Sequence, residues 1–152
     1  MKFRTLSALI ATSGLLAACS PASADPDGPL GILASSTPHA EILEWVDEHD
    51  ERFELDISIV TGGPEANAAL ANGSVPTNFF QHEPYLLDWQ DQTGQAGVEV
   101  VAPVHIEPIS LYSQKYGAVD DIPDGSTIAL PRSASNFARG LLLLQDHGLL
   151  TL

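Results

Sequence analysis

Short apolar runs alternate with segments of helical periodicity along the first half of the chain. Residues 31–34 (GILA) are typical of a buried strand, and residues 55–59 alternate apolar and polar positions as a half-buried strand does. Between them, Thr37 and Pro38 predict the N-cap and first position of a helix that runs to about Asp50. The apolar face predicted for this helix consists of Ile42, Leu43, Trp45 and Val46.

The next segments repeat this alternation. Residues 62–64 (GGP) predict the start of a short helix, and Asn72 with Gly73 predicts its end. Residues 77–80 are then typical of a short strand. Pro84 predicts the start of a further helix, whose larger side chains are Tyr85, Leu86 and Trp89.

Three strands and one helix are predicted in the rest of the chain. The strands are residues 98–104, 106–113 and 127–130, and Ser133 to Ser135 offer N-caps for a helix that ends at Gly148. Strands thus alternate with helices throughout. That alternation predicts an α/β fold with a largely parallel sheet.

The N-terminus has the features of a secretory signal. Lys2 and Arg4 precede an apolar run over residues 6–18, which is shorter than the ~18 to 20 residues of a membrane span. The only cysteine, Cys19, follows this run in an arrangement that resembles the lipobox of bacterial lipoproteins. We therefore expect a signal peptide over residues 1–18, an acylated Cys19, and a flexible tether over residues 19–29.

The charge of the chain excludes some classes of partner. The full sequence has a net charge of −14, and after Cys19 only four basic residues stand against all twenty acidic ones. Nucleic acid is therefore not expected as a partner, and contact with a membrane must come from lipid on Cys19. With a single cysteine, an internal disulfide cannot form.

Two segments carry candidate chemistry. Residues 78–86 (NFFQHEPYL) combine aromatic rings, an imidazole and amides, which suits either a small-molecule pocket or a strand end that leads into a helix. In the second segment, Asn136 and Arg139 share a face at the start of the last helix. A helix N-terminus with an Arg fork is suited to a carboxylate, although such an Arg can also simply lie on an acidic surface.

These segments, behind the lipobox, resemble the substrate-binding lipoproteins of methionine ABC importers, the NlpA or MetQ family. The resemblance covers about residues 30–152. It is carried by Gly73 and by three motifs in the same order, which are residues 67–70 (NAAL), 78–86 (NFFQHEPYL) and 135–145 (SNFARGLLLLQ).

The resemblance implies a two-lobed periplasmic-binding-protein fold of type II. It places the first lobe at residues 30–110 and the crossing segment with the start of an incomplete second lobe at residues 111–152. The implied function is the capture of a free amino acid, L-methionine before others, outside the membrane for delivery to the permease and ATPase subunits of an importer. No cofactor and no enzymatic activity are implied.

The resemblance also assigns roles to individual residues. Phe80, His82 and Tyr85 would line the side-chain pocket, since a thioether gains from contact with aromatic edges. Asn136 and Arg139 would hold the α-carboxylate. Tyr112, near the expected crossing between lobes, is a further candidate for ligand contact.

Three other readings remain open. A metal-binding lipoprotein would use His39, His49, His82, His105 and His147, although no pair has the i, i+4 spacing of a helical zinc motif. A hydrolase would use Ser133 or Ser135, but a Gly-x-Ser-x-Gly elbow is missing. A truncated lipoprotein that binds nothing is the third, since an incomplete sheet would leave an unpaired edge prone to self-association.

Overall fold

The computed structural model describes residues 28–152. The predicted signal peptide, the acylation site Cys19 and almost all of the predicted tether lie outside the described residues. Within residues 28–152, no helix has the length and apolar character needed to cross a membrane.

The first unit is a strand followed by a helix, as predicted. Strand β1 spans Leu30–Ala34, a helical turn spans Ser36–Ala40, and helix α1 spans Glu41–His49. Thr37 has an extended backbone, and its hydroxyl donates a hydrogen bond of 2.8 Å to Glu41 Oε1. The side chain of Thr37 thus supports the helix start, consistent with its predicted position.

The predicted apolar face of α1 is correct for three of its four residues. Ile42, Leu43 and Val46 are partly buried, whereas Trp45 is 61% exposed. The Trp45 ring stacks on His49, with 4.4 Å between the ring centroids. Trp45 therefore covers its own helix rather than the sheet, and the assignment of this residue to the packed face was wrong.

Three parallel strands form the sheet, in the order β2-β1-β3. Strand β2 spans Leu55–Ile59 and pairs with the whole of β1, and β3 spans Thr77–Phe79 and pairs with residues 32–34. Helix α2, Gly63–Ala71, connects β2 to β3 and is followed by Asn72 and by Gly73, where φ is +75°. The α/β class and the parallel sheet predicted from the sequence are thus confirmed.

Helix α3 spans Glu83–Thr93 and follows β3 directly. Leu86 and Trp89 are buried on one of its faces, where they pack with Val98 and the partly buried Leu70 of α2. This apolar contact fixes α3 against α2. The N-terminus of α3 consequently lies beside the carboxyl end of β3.

The three predicted strands of the second half are not present as strands. Residues 98–104, 106–113 and 127–130 have no assigned secondary structure, and Val101 and Ile106 are 95% and 91% exposed. Their apolar sequences are suited to a sheet, but no strand among residues 28–152 pairs with them. A strand without a neighbour leaves its backbone groups unpaired, so the β pattern alone does not produce a ladder.

Helix α4 spans Ala134–Asp146 and contacts α3. Ser133 occupies the predicted N-cap position, but its hydroxyl makes no capping hydrogen bond. Gly140 lies against Leu130, where an added Cβ would come 2.8 Å from a methyl carbon. The helix ends at Asp146, two residues before the predicted stop at Gly148, which has a φ of +70°.

Candidate functional site

The candidate residues lie at the carboxyl end of the sheet. In a parallel sheet all strands end at the same edge, and ligands of open α/β folds bind there. Strands β1 and β3 end at Ala34 and Phe79, and residues 80–82 connect β3 to α3 along this edge. The sequence stretch 78–86 therefore lies where a ligand is expected from the topology.

Part of that stretch is used to build the loop itself. Asn67 of α2 is completely buried, and its Nδ2 donates to Gln81 Oε1 at 2.9 Å. Asn67 Oδ1 accepts from Asn78 Nδ2 at 3.0 Å and from Gln81 Nε2 at 2.7 Å. Three amides thus satisfy one another, and they hold the connection between β3 and α3 against α2.

His82 joins this loop to the distant helix α4. As the N-cap of α3, it accepts a hydrogen bond at Nδ1 from the Tyr85 backbone N–H, at 3.2 Å. Because Nδ1 is the acceptor, the neutral imidazole carries its proton on Nε2. That proton is donated to Asn136 Oδ1, which lies 2.8 Å away.

Asn136 also contacts Arg139 on the same face of α4. The guanidinium donates from Nη1 to Asn136 Oδ1 at 2.9 Å and from Nη2 to the backbone oxygen of Glu107 at 2.8 Å. Both acceptors are neutral oxygens, and no carboxylate among residues 28–152 forms an ion pair with Arg139. The half-buried positive charge is therefore held in place but not neutralised within that part of the chain.

The first turn of α4 offers further polar groups. Ser135 Oγ is buried and has no hydrogen-bond partner among the described residues. The first backbone N–H groups of a helix also lack intrahelical partners and carry partial positive charge. Asn136 and Arg139 thus lie at a helix end that is itself suited to an anion.

Two aromatic rings stand beside His82. Phe80 and Tyr85 make an edge-to-face contact with 6.0 Å between centroids, and His82 and Tyr85 do so at 6.3 Å. The Tyr85 ring lies over Gly63, where an added Cβ would approach the phenol oxygen to 2.3 Å. Burial, with smaller contributions from Glu65 and Asp88, raises the pKa of Tyr85, so its hydroxyl stays protonated at neutral pH.

The structure does not bring Tyr112 to these residues. Its side chain is 87% exposed, and no hydrogen bond or ring contact joins it to the other five candidates. The five others form one constellation, in which His82, Asn136 and Arg139 are linked by hydrogen bonds and Phe80 and Tyr85 by ring contacts. A role for Tyr112 stays a prediction.

A second cluster contains two of the histidines considered for metal binding. His105 Nε2 lies 3.1 Å and His39 Nε2 3.7 Å from Glu107 Oε1. Burial lowers the pKa of His39, an effect that Glu107 opposes and His105 increases. His49 stacks on Trp45 and His82 caps α3, so neither belongs to this cluster.

Two surface grooves lie apart from the constellation. One, of about 590 Å³, is lined by α2 and α3, and the other, of about 330 Å³, lies between α4 and the segments around residues 110 and 130. None of the six predicted site residues lines either groove. We place the candidate site at the constellation and not at either groove. The constellation brings together a positive charge, hydrogen-bond donors and aromatic rings at the edge of the sheet.

Comparison with known proteins gives one family. The model of the NlpA lipoprotein family matches residues 30–152. The membrane lipoprotein TpN32 of Treponema pallidum is 37% identical over 97% of this chain and 56% of its own length. The methionine-binding lipoprotein MetQ of Bacillus subtilis is 34% identical over 95% of this chain and 54% of its own length.

Solved structures with a similar fold are also substrate-binding proteins or lipoproteins. A nutrient-binding protein from Burkholderia cenocepacia, solved bound to methionine, superimposes with a TM-score of 0.75 at 31% identity. The alignment covers 81% of this chain and 52% of that protein. The chain thus spans about half the length of the relatives that it matches.

The buried amide network generates a stability prediction. Replacing Asn67 by Ala leaves the amides of Asn78 and Gln81 without their partner in a buried place, so we expect a loss of about 1 to 3 kcal/mol in the free energy of unfolding. Urea denaturation followed by circular dichroism measures this loss.

Gln92→Ala is the matched control for Asn67→Ala. Gln92 donates to Asp88 on the exposed side of α3, so its removal should change the free energy of unfolding by less than about 0.5 kcal/mol. Equal stability of the two variants would show that the network does not hold the loop.

Proposed function

The chain belongs to the NlpA lipoprotein family, and on this premise we propose that it supplies one wall of the cleft of a substrate-binding lipoprotein. The ligand is a free amino acid, and L-methionine is the first candidate because two of the relatives are described with methionine. The protein captures this ligand outside the membrane and delivers it to the permease of an ABC importer. It acts as a binding protein and not as an enzyme.

The observation that carries this proposal is the position of Arg139. Its guanidinium is oriented by two neutral oxygens, Asn136 Oδ1 and the Glu107 carbonyl, and has no carboxylate partner among residues 28–152. None of the acidic side chains among residues 28–152 pairs with this Arg, so its charge is available to an anionic ligand. The α-carboxylate of an amino acid supplies the missing charge, with Asn136 Nδ2 as a second donor.

The remaining candidates give the cleft its apolar side. Phe80 and Tyr85 present ring edges near His82, and a thioether gains about 0.3 to 1.5 kcal/mol from such contacts. His82 orients Asn136 through its Nε2 proton and so connects the apolar wall to the carboxylate end. Tyr112 would complete the rim at the crossing between lobes.

The proposed organisation follows the family. Residues 30–110 form the first lobe, and residues 111–152 contain the crossing segment and the opening helix of the second lobe. Acylation of Cys19 anchors the protein to the membrane with its cleft on the outer side. The permease and ATPase subunits of a methionine importer are the proposed partners.

Because the residues of the constellation are only partly buried, a prediction follows for residues 20–152. A cleft binds tightly when it buries the ligand from both sides. The constellation lines neither of the two grooves, and the chain spans about half the length of the relatives that it matches. We therefore expect residues 20–152 to show no saturable response to L-methionine at micromolar concentration by isothermal titration calorimetry. A protein extended through any downstream reading frame should bind it there, and micromolar affinity in residues 20–152 alone would contradict this account.

The role of Arg139 is tested in the extended protein by Arg139→Gln. Loss of a charge-assisted contact costs about 1.5 to 3 kcal/mol, so calorimetry should show methionine affinity lowered roughly 10- to 100-fold. Arg132→Gln is the matched control, because Arg132 is an exposed Arg just before the same helix. If both variants bind like the unchanged protein, Arg139 does not hold the carboxylate.

The anchor is tested in cells. A Cys19→Ser variant lacks the thiol that is acylated, so the protein should move from the membrane fraction to the soluble fraction and lose labelling by radioactive palmitate. The unchanged protein is the reference in both assays. Membrane retention of Cys19→Ser without palmitate would mean that something other than this lipid anchors the chain.

A further inference from the structure

A cluster of potential metal ligands lies next to the constellation that would hold the amino acid and shares none of its five residues. His39 belongs to the helical turn after β1, whereas His105 and Glu107 lie in the segment after α3, which has no assigned secondary structure. One ligand atom from each of these three residues lies within 4.8 Å of the other two. Residues far apart in the sequence thus converge on one point, which local spacing in the sequence does not predict.

Contacts with Ser35 and Phe79 fix the orientation of the His39 ring. Its Nδ1 is 2.6 Å from Ser35 Oγ, and its ring makes an edge contact with Phe79 at 4.6 Å between centroids. When Nδ1 carries the proton and donates it to Ser35, Nε2 keeps its lone pair and faces Glu107. An imidazole oriented through its second nitrogen is the usual arrangement of a metal-binding histidine.

The spacings from Glu107 to the two histidines are close to those around a small transition-metal ion. Zinc binds imidazole nitrogen and carboxylate oxygen at about 2.0 to 2.2 Å, so two ligands of a tetrahedral site lie roughly 3.3 Å apart. The distances of 3.1 Å and 3.7 Å from Glu107 Oε1 to the two histidines lie on either side of that value. Calcium and magnesium prefer oxygen ligands, so two imidazoles favour zinc.

We propose that His39, His105 and Glu107 form a binding site for a divalent transition-metal ion, zinc first, with water in the remaining position. The ion would connect the segment that contains His105 and Glu107 to the carboxyl end of β1. The same Glu107 accepts the hydrogen bond from Arg139 through its backbone oxygen, so the metal would also fix one of the two oxygens that orient this guanidinium. The site does not depend on the identity of the amino-acid ligand.

Zinc binding is measured on tag-free protein freed of metal with a chelator. Competition with a chromophoric zinc indicator should give one equivalent per chain, and the bound ion should raise the unfolding temperature because it binds only the folded state. Cobalt in place of zinc should give the visible absorption of a four-coordinate site. These readouts involve no amino-acid ligand, so they are independent of methionine binding.

Variants identify the ligands. His105→Asn and Glu107→Gln should each remove the one-equivalent phase and the temperature shift, and Ser35→Ala should weaken zinc binding roughly 10-fold through His39. His147→Asn is the matched control, since His147 is an exposed histidine at the end of α4. Far-UV circular dichroism checks that each variant is folded.

Substoichiometric zinc in the unchanged protein would overturn the proposal. So would zinc binding that is equally strong in His105→Asn, Glu107→Gln and His147→Asn, because it would place the ion elsewhere. If His105→Asn fails to fold, Glu107→Gln decides the question, since the Glu107 side chain is half exposed.

Discussion

The hydrogen bond from His82 Nε2 to Asn136 Oδ1 is the contact on which the candidate site depends. It connects residues that are 54 positions apart, and it joins the end of the sheet to the helix that carries Arg139. Its geometry is set from both sides, because the Tyr85 backbone N–H holds the imidazole and Arg139 holds the amide oxygen. It joins the aromatic wall to the guanidinium through side chains, in addition to the contact between α3 and α4.

The sequence predicted those parts of the fold whose signals are local. Strands β1, β2 and β3 and the four helices follow from periodicity, turn glycines and prolines at helix starts. The predicted strands at residues 98–104 and 127–130 were wrong because a strand requires a hydrogen-bonding neighbour, which the described residues do not provide. Trp45 was misplaced for a related reason, since periodicity gives an apolar face but not the element that covers it.

The difference between local signals and tertiary contacts also explains which residues of the site could be predicted from the sequence. Residues 80–85 and the pair Asn136 and Arg139 stand in short motifs, so the motifs identified them as candidates. The buried role of Asn67 and the convergence of His39 with Glu107 arise from tertiary contacts between distant segments. One signal could have identified Asn67, because it is the one amide in the alanine-rich helix α2 and an amide requires a polar partner when buried.

The central claim is that Asn136 and Arg139, near the N-terminus of α4, recognise a carboxylate. The most direct measurement compares L-methionine with L-methioninol, which keeps the ammonium and the thioether but replaces the carboxylate by an alcohol. In a protein extended through any downstream reading frame, we predict that the calorimetric affinity for methioninol is at least roughly 10-fold lower, as expected for loss of a charge-assisted contact. Equal affinity for the two compounds would contradict the claim, because the charge that Arg139 is proposed to hold would then make no difference.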